Sequence, residues 1–172
     1  LWNSLPHSTP SEIFYNPIER MHTKFEGEEE KWKTIETLCL FKSGIHPSFE
    51  DEHNNGGGGI YYVLDNLDQN QIDLLWLSLS AAVVGEDFSI SPKLNGVRIA
   101  DKCSEHRCMH RLEFWLDSDI DKTDMYDSFK NQMLSLVMDS NIKTMSQPLY
   151  KIHKVDKKDS KDKERREEEK NS

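Results

Sequence analysis

The chain has no run of apolar residues approaching the ~18 that would span a bilayer, and its mean hydropathy is −0.76, so no segment reads as a membrane-crossing helix. Nor does the stretch after Leu1 show the basic-then-apolar order of a secretory leader. These absences lead to the expectation of a soluble protein that does not engage membranes, placed in the cytoplasm with the nucleus as a second compartment. Cysteine is scarce. Cys39, Cys103 and Cys108 are odd in number and scattered, which suits reduced thiols better than a disulfide framework. Positive charge is in deficit, with 22 basic against 31 acidic side chains and a net charge of −9, which argues against a protein that grips a long stretch of nucleic-acid backbone. A small local anion site stays open. The glycines 56 to 59 lack a following Gly-Lys-Ser or Gly-Lys-Thr and so form no phosphate loop. The seven histidines offer no set of nucleophile, base and orienter, and nothing calls for a cofactor, so a binding role is expected rather than an enzymatic one.

What is present fits one domain. At 172 residues the chain can bury one core and not two, and it divides into a body over 1–155 and a charged tail over 156–172. The tail holds seven Lys or Arg and seven Asp or Glu with no large apolar side chain, the composition of a solvated extension. The net negative charge therefore belongs to the body. A helix is expected after Asp68, where Ile72, Leu75, Trp76 and Leu79 recur at three- and four-residue spacing up to Gly85. Trp76 falls on the core side of that stripe. A second helix is expected from Thr123 or Asp124, with Met125, Phe129, Met133, Leu136 and Val137 on one face, and a shorter acidic one over Gly27 to Glu36. Strand-like runs occupy Leu38 to Phe41, Ile60 to Leu64, Val97 to Asp101, Cys108 to Leu116, and Ile142 to Ile152 with Pro148 at a break or edge. Two such runs separate the main helices, so strict alternation of strand and helix fails. An α+β fold follows, with a mostly antiparallel sheet backed on one side by about three helices. Alternation along 108–116 sets Met109, Arg111, Glu113 and Trp115 on one face and Cys108, His110, Leu112 and Phe114 on the other.

The segment from Leu40 to Gly59 reads Leu-Phe-Lys-Ser-Gly-Ile-His-Pro-Ser-Phe-Glu-Asp-Glu-His-Asn-Asn-Gly-Gly-Gly-Gly. Around it, in order, stand Leu1-Trp2, Lys24-Phe25, Trp32, Trp76-Leu77, Val84-Gly85-Glu86, Asn95-Gly96-Val97 and Phe114-Trp115. Together these resemble the eukaryotic translation initiation factor 4E family, of which the chain looks like a divergent member over roughly residues 1 to 150. The resemblance implies a curved antiparallel sheet with helices on its convex side, and a concave site for the 7-methylguanosine cap of messenger RNA. It assigns one stacking face to Phe49, where the family has Trp, and the other to Tyr15, or to Phe14 if the loop shifts by one residue. Glu50 would accept hydrogen bonds from the guanine edge, and Trp115 would lie against the methyl group. Arg111 matches a phosphate-contacting position, with Lys102 or Arg107 as the second cation. The basic residue that often follows the family's glycine pair is replaced by Gly59. Partner binding would fall on the convex side at Trp32 and Leu77, engaging a scaffold initiation factor of the 4G type or a related 4E-binding protein, with the chain a monomer inside that complex. Trp32 also has an ordinary reading as a half-buried aromatic.

Alternatives stand beside this reading. A repressor would hold the cap without the scaffold, and an interaction domain would keep the fold without cap affinity. The run Cys103-Ser-Glu-His106-Arg-Cys108-Met-His110 contains zinc-ligand types, but its tight spacing departs from two separated ligand pairs, so no metal is assigned.

A methylated guanine is positively charged, and indole presents a larger and more negative face to a cation than phenyl does. Phe49→Trp is therefore expected to strengthen binding of a 7-methylated guanosine triphosphate by about 0.5–1 kcal/mol. Calorimetry showing equal or weaker affinity would remove Phe49 from the stacking role.

Overall fold

The computed structural model describes residues 9–15, 22–23, 31–32, 36–104, 106–120, 123–139, 142 and 145–153. The elements run α1 (Pro10–Tyr15), β1 (His22–Thr23), β2 (Lys31–Trp32), β3 (Thr37–Phe41), β4 (Gly58–Asp65), α2 (Gln69–Val84), β5 (Leu94–Asp101), β6 (Met109–Leu116), α3 (Asp124–Asp139) and β7 (Leu149–Ile152). Five strands form one antiparallel sheet in the order β3-β5-β6-β4-β7, and β1 pairs separately with β2.

Alternation along the strands gives the sheet two chemically different faces. Leu40, Ile60, Tyr62, Leu64, Val97, Ile99, Leu112, Phe114 and Leu116 join the helices in one buried cluster, with the half-buried Leu38 packed against it. The register sets Arg98 opposite Glu113, Ala100 opposite Arg111 and Gly59 opposite Trp115, so these share the other, open face. Helix α2 starts on a capping box: the Asp68 side chain accepts from Gln71 N at 2.8 Å, and Gln71 accepts from Asp68 N at 3.1 Å. It buries Ile72, Leu75, Trp76, Leu79 and Val83, and Gly85 closes it. Helix α3 buries Tyr126, Phe129, Met133 and Val137, and Phe129 meets Phe114 edge-on at 4.7 Å.

Three local expectations need correction. Within the segment expected as an acidic helix, Lys31 and Trp32 instead pair antiparallel with Thr23 and His22; the rest of Gly27 to Glu36, apart from Glu36 itself, lies outside the described residues. An aromatic beside Lys suits a strand pair as well as a helix, and pairing with a distant segment outweighs local propensity. The run Ile142 to Ile152 is a strand only from Leu149, because Pro148 has no N–H to give a ladder; upstream, Met145 makes an isolated bridge to Leu64. Helix α1 was not expected, although Thr9-Pro10-Ser11-Glu12 carries its start signal. Thr9 N donates to the Glu12 carboxylate at 2.9 Å, Pro10 takes the first helical position, and Ser11 N donates to Asp73 of α2 at 2.8 Å. The tail over 156–172 lies outside the described residues.

Asp68→Ala removes one half of the capping box on the central helix. A loss of about 1 kcal/mol in urea unfolding, with an unchanged dependence on denaturant, is expected; a loss below about 0.3 kcal/mol would show that tertiary packing alone fixes the start of α2.

Candidate functional site

The connection from β3 to β4 is irregular but held from beneath by Asn54, a fully buried side chain. Its Nδ2 donates to the carbonyls of His46 at 2.7 Å and Ser48 at 2.9 Å, and its Oδ1 accepts from Asn95 Nδ2 at 3.0 Å. Asn95 Nδ2 also reaches the His53 carbonyl at 2.6 Å. Asp51 folds the tip inward by accepting from His46 N at 2.8 Å and His53 N at 2.9 Å, bonds that hold its carboxyl below the ordinary value. Two asparagines and one aspartate thus give the loop a set shape. Phe49 and Glu50 stand on it, both exposed, and the Ser48 hydroxyl donates to the Glu50 carboxylate.

Phe49 projects over the open face of the sheet. Its ring lies parallel to that of Trp115, with centroids 4.5 Å apart and planes within 3°. His153 tilts against both rings at 4.9 Å, and Phe41 meets Trp115 edge-on at 5.6 Å. Two glycines make this possible. A Cβ on Gly59 would meet His153 Nε2 at 2.7 Å, and one on Gly96 would meet the Phe41 ring at 2.3 Å. Trp115 is 1% exposed whereas Phe49 is 40% exposed, so Phe49 covers Trp115 and offers its own outer face to solvent.

Below the rings sits a charged cluster. Glu113 is fully buried, and its carboxylate accepts from Arg98 Nε and a terminal Arg98 nitrogen, each at 2.9 Å, from Arg111 Nε at 2.5 Å, and from Trp115 Nε1 at 3.0 Å. Arg98 also approaches the Trp115 ring, its Cζ 5.3 Å from the centroid. Burial pushes the Glu113 carboxyl up, but the Arg98 and Trp115 bonds and the two guanidinium charges outweigh it and hold the group below its ordinary 4.5. Two cations against one anion leave this cluster with one surplus positive charge. Burial also holds His153 below its ordinary 6.5, favouring its neutral form.

Of the residues expected at the site, Phe49, Glu50, Arg111 and Trp115 are brought to this one face or its rim. Lys102 is exposed on the same face by alternation, beyond Ala100 and Arg111, and its backbone N donates to Met109 O at 2.8 Å. Arg107 is committed elsewhere, in a two-pronged ion pair with Asp65 at 3.0 and 2.8 Å. Phe14 is not at the site: its ring stacks with His110 at 6.2 Å on the helix-bearing face. Tyr15 ends the same short helix, which is tied to α2, so its backbone too belongs to that side. The cause is the capping box at Thr9, which winds 10–15 onto α2 instead of leaving it as a loop over the sheet. The side chains of Tyr15 and Trp32 lie outside the described residues. Leu77 is 62% exposed on α2.

Arg98, Glu113 and His153 were missed as site residues. A signal existed for the first two, since antiparallel pairing of 94–101 with 109–116 puts Arg98 across from Glu113 and beside Arg111. His153 had none, because it reaches the rings only through the pairing of β7 with β4.

Comparison with known proteins gives one family. The model of the family described as eukaryotic initiation factor 4E matches residues 21–168. The translation initiation factor 4E of Candida albicans is 25% identical over 162 residues, covering 85% of this chain and 75% of the relative. That of Xenopus laevis is 30% identical over 82 residues, covering 40% of this chain and 38% of the relative. Among solved structures, a schistosome initiation factor 4E complexed with m7GpppG and a 4E-binding protein superposes with a TM-score of 0.51 at 20% identity, covering 67% of this chain and 59% of that one. An Ascaris suum homologue in complex with an m7G cap gives 0.51 at 21% identity, covering 70% and 63%. At such identities the structures establish the shared fold, and this chain spans about three fifths of their length.

Because the folded state holds Glu113 below 4.5, its contribution to stability is present above that value and lost as pH falls through the lower folded one. Glu113→Gln should cost roughly 3 kcal/mol at pH 7, where it strands two arginines, and should flatten the acid limb of a stability–pH profile. Parallel acid limbs in wild type and variant would show that Glu113 is not ionised against Arg98 and Arg111.

Proposed function

Since the chain belongs to the eukaryotic initiation factor 4E family, we propose that it holds the 7-methylguanosine cap of messenger RNA against the open face of its sheet, as a binding protein of translation initiation in the cytoplasm, and engages a scaffold protein through α2. The observation that carries this reading is the grouping of Phe49 and Glu50 on a braced loop with Trp115, Arg98 and Arg111 beneath. Each part answers one part of the ligand. The methylated base, a cation, stacks on the outer face of Phe49, which Trp115 backs and stiffens. Glu50, adjacent in the chain, accepts from the N1–H and the exocyclic amine of guanine, a donor pair that adenine does not present. Arg111 and Arg98 meet the phosphate bridge, with Arg98 taking the place expected of Lys102 or Arg107. Because Glu113 already neutralises one of the two guanidinium charges, phosphate attraction is moderate. A simple cap should bind weakly.

On the opposite side, Leu74, Leu77 and Val84 of α2 are exposed at spacings of three and seven, with exposed Ala81 between, a stripe suited to a helical partner peptide. That stripe supports scaffold docking at Leu77. A second reading takes its motive from Phe49 lying flat on Trp115 and Glu113 engaging both arginines: an interaction domain of this fold that uses the stripe and has lost cap affinity.

Glu50→Gln separates the two. It keeps size, but it removes the charge and turns one acceptor into a donor facing the base's own donor. Titration with 7-methylated guanosine triphosphate, followed by tryptophan fluorescence, should show a loss of about 2–4 kcal/mol, some thirty- to thousand-fold, with the thermal melt unchanged. A folded variant that binds within about threefold of wild type, ~0.6 kcal/mol, overturns the role of Glu50, and no binding by wild type leaves the interaction domain.

A further inference from the structure

Beyond Asp101 and Met109 the hairpin of β5 and β6 continues without regular strand. Lys102 N donates to Met109 O and Ser104 N to Arg107 O, each at 2.8 Å. With Asp101 opposite His110 in the ladder, these bonds place Cys103 directly across from Cys108. Both pairs, 101 with 110 and 103 with 108, fall between the hydrogen-bonded pairs of the hairpin, where cross-strand side chains come closest. All four side chains therefore share one face. It is the helix-bearing face, the opposite side from Arg98, Arg111 and Trp115.

We propose that Cys103, Cys108 and His110 form a binding site for a soft divalent metal ion, Zn(II) by its chemistry, that clasps the end of this hairpin. Their ligand atoms all lie within 4.8 Å of one another, and Cys103 Sγ stands 3.9 Å from His110 Nε2. A tetrahedral zinc with bonds of about 2.3 Å to sulfur and 2.0–2.1 Å to nitrogen separates such atoms by roughly 3.6–3.8 Å, so the Cys103–His110 pair need close by a few tenths of an ångström and the widest pair by no more than about 1 Å. Two thiolates and an imidazole select zinc over the oxygen-preferring Mg(II) and Ca(II). His110 is fully buried with Phe14 stacked on it, which fixes the ring, while both cysteines are partly open and give the ion an entry path. The fourth position goes to Asp101, on the same face with its Oδ1 on Cys103 N at 2.8 Å, or to water. Spacing that looked too tight for two ligand pairs becomes suitable once the chain doubles back. Binding exchanges the two thiol protons for one zinc; both protons pass to solvent and the imidazole enters neutral through Nε2. Burial pushes the Cys103 thiol up to about 12, so without an ion Cys103 is not a reactive thiolate.

The test is titration of the reduced 172-residue chain with Co(II), then displacement by Zn(II). Expected are a thiolate-to-cobalt charge-transfer band that saturates at one equivalent, its loss on adding zinc, and a raised melting temperature with zinc. Cys103→Ser and Cys108→Ser should each weaken zinc at least about 100-fold, more than the 10- to 100-fold typical of lost supporting residues. Circular dichroism should show both variants folded. Cys39→Ser, which removes the remaining thiol, should leave the titration as it was. A cobalt spectrum without the charge-transfer band overturns the proposal, as does a band that survives both serine variants. Formation of a Cys103–Cys108 disulfide in air, with no charge-transfer band once it is reduced, does so too.

Discussion

A buried carboxylate stays ionised only if donors replace the water that it has lost, and Glu113 finds them on two strands and an indole. Its bonds to Arg98 and Arg111 hold two guanidinium groups in place on the open face, and its bond to Trp115 Nε1 fixes the plane of that ring. Phe49 and His153 then lean on a surface that is already set. The positions of the Trp115 ring and of both cations trace back to that one group. It also limits what the face can do, because charge spent on Glu113 is not available to a phosphate.

The loop above depends on a second set of buried polar groups. Asn54 and Asn95 satisfy carbonyls that a 16-residue connection over 42–57 would otherwise bury without partners, so Phe49 and Glu50 are displayed from a rigid base although both are exposed. Gly59 and Gly96 act with them by leaving room for His153 and Phe41 against Trp115. Preorganisation of this kind lowers the ordering cost when a base stacks on Phe49. It does so on a face from which one expected aromatic wall, Phe14, is wound onto the far side.

Strand alternation keeps three chemistries apart in a small domain. Rings and guanidinium groups lie on the open face. Thiols and an imidazole end the same hairpin on the helix-bearing face, and the apolar stripe with Leu77 lies on the outer side of α2. Arg98 and Asp101 sit three residues apart on β5 and yet point to opposite faces. A ligand on one face can therefore stiffen β5 and β6 for the other without sharing a single side chain.

The sequence by itself determined the fold class, the two long helices with their boundaries, most strand positions, and the loop that carries Phe49 and Glu50, because each rests on local periodicity, capping or an ordered motif. It also put Arg111 and Trp115 on one face, which needs only a period of two. Tertiary structure alone decided which cation joined them. Arg98 is thirteen residues from Arg111 in the chain and meets it only through antiparallel register, while Arg107, nearer in sequence, is drawn to Asp65 at the end of the neighbouring strand β4. Register likewise brought His153 under Phe49 and set Cys103 across from Cys108, and packing on α2 took Phe14 away from the site. Contacts between distant segments are fixed by which side chains fill a shared core and which backbone groups find partners, and neither quantity is a property of any one stretch of sequence.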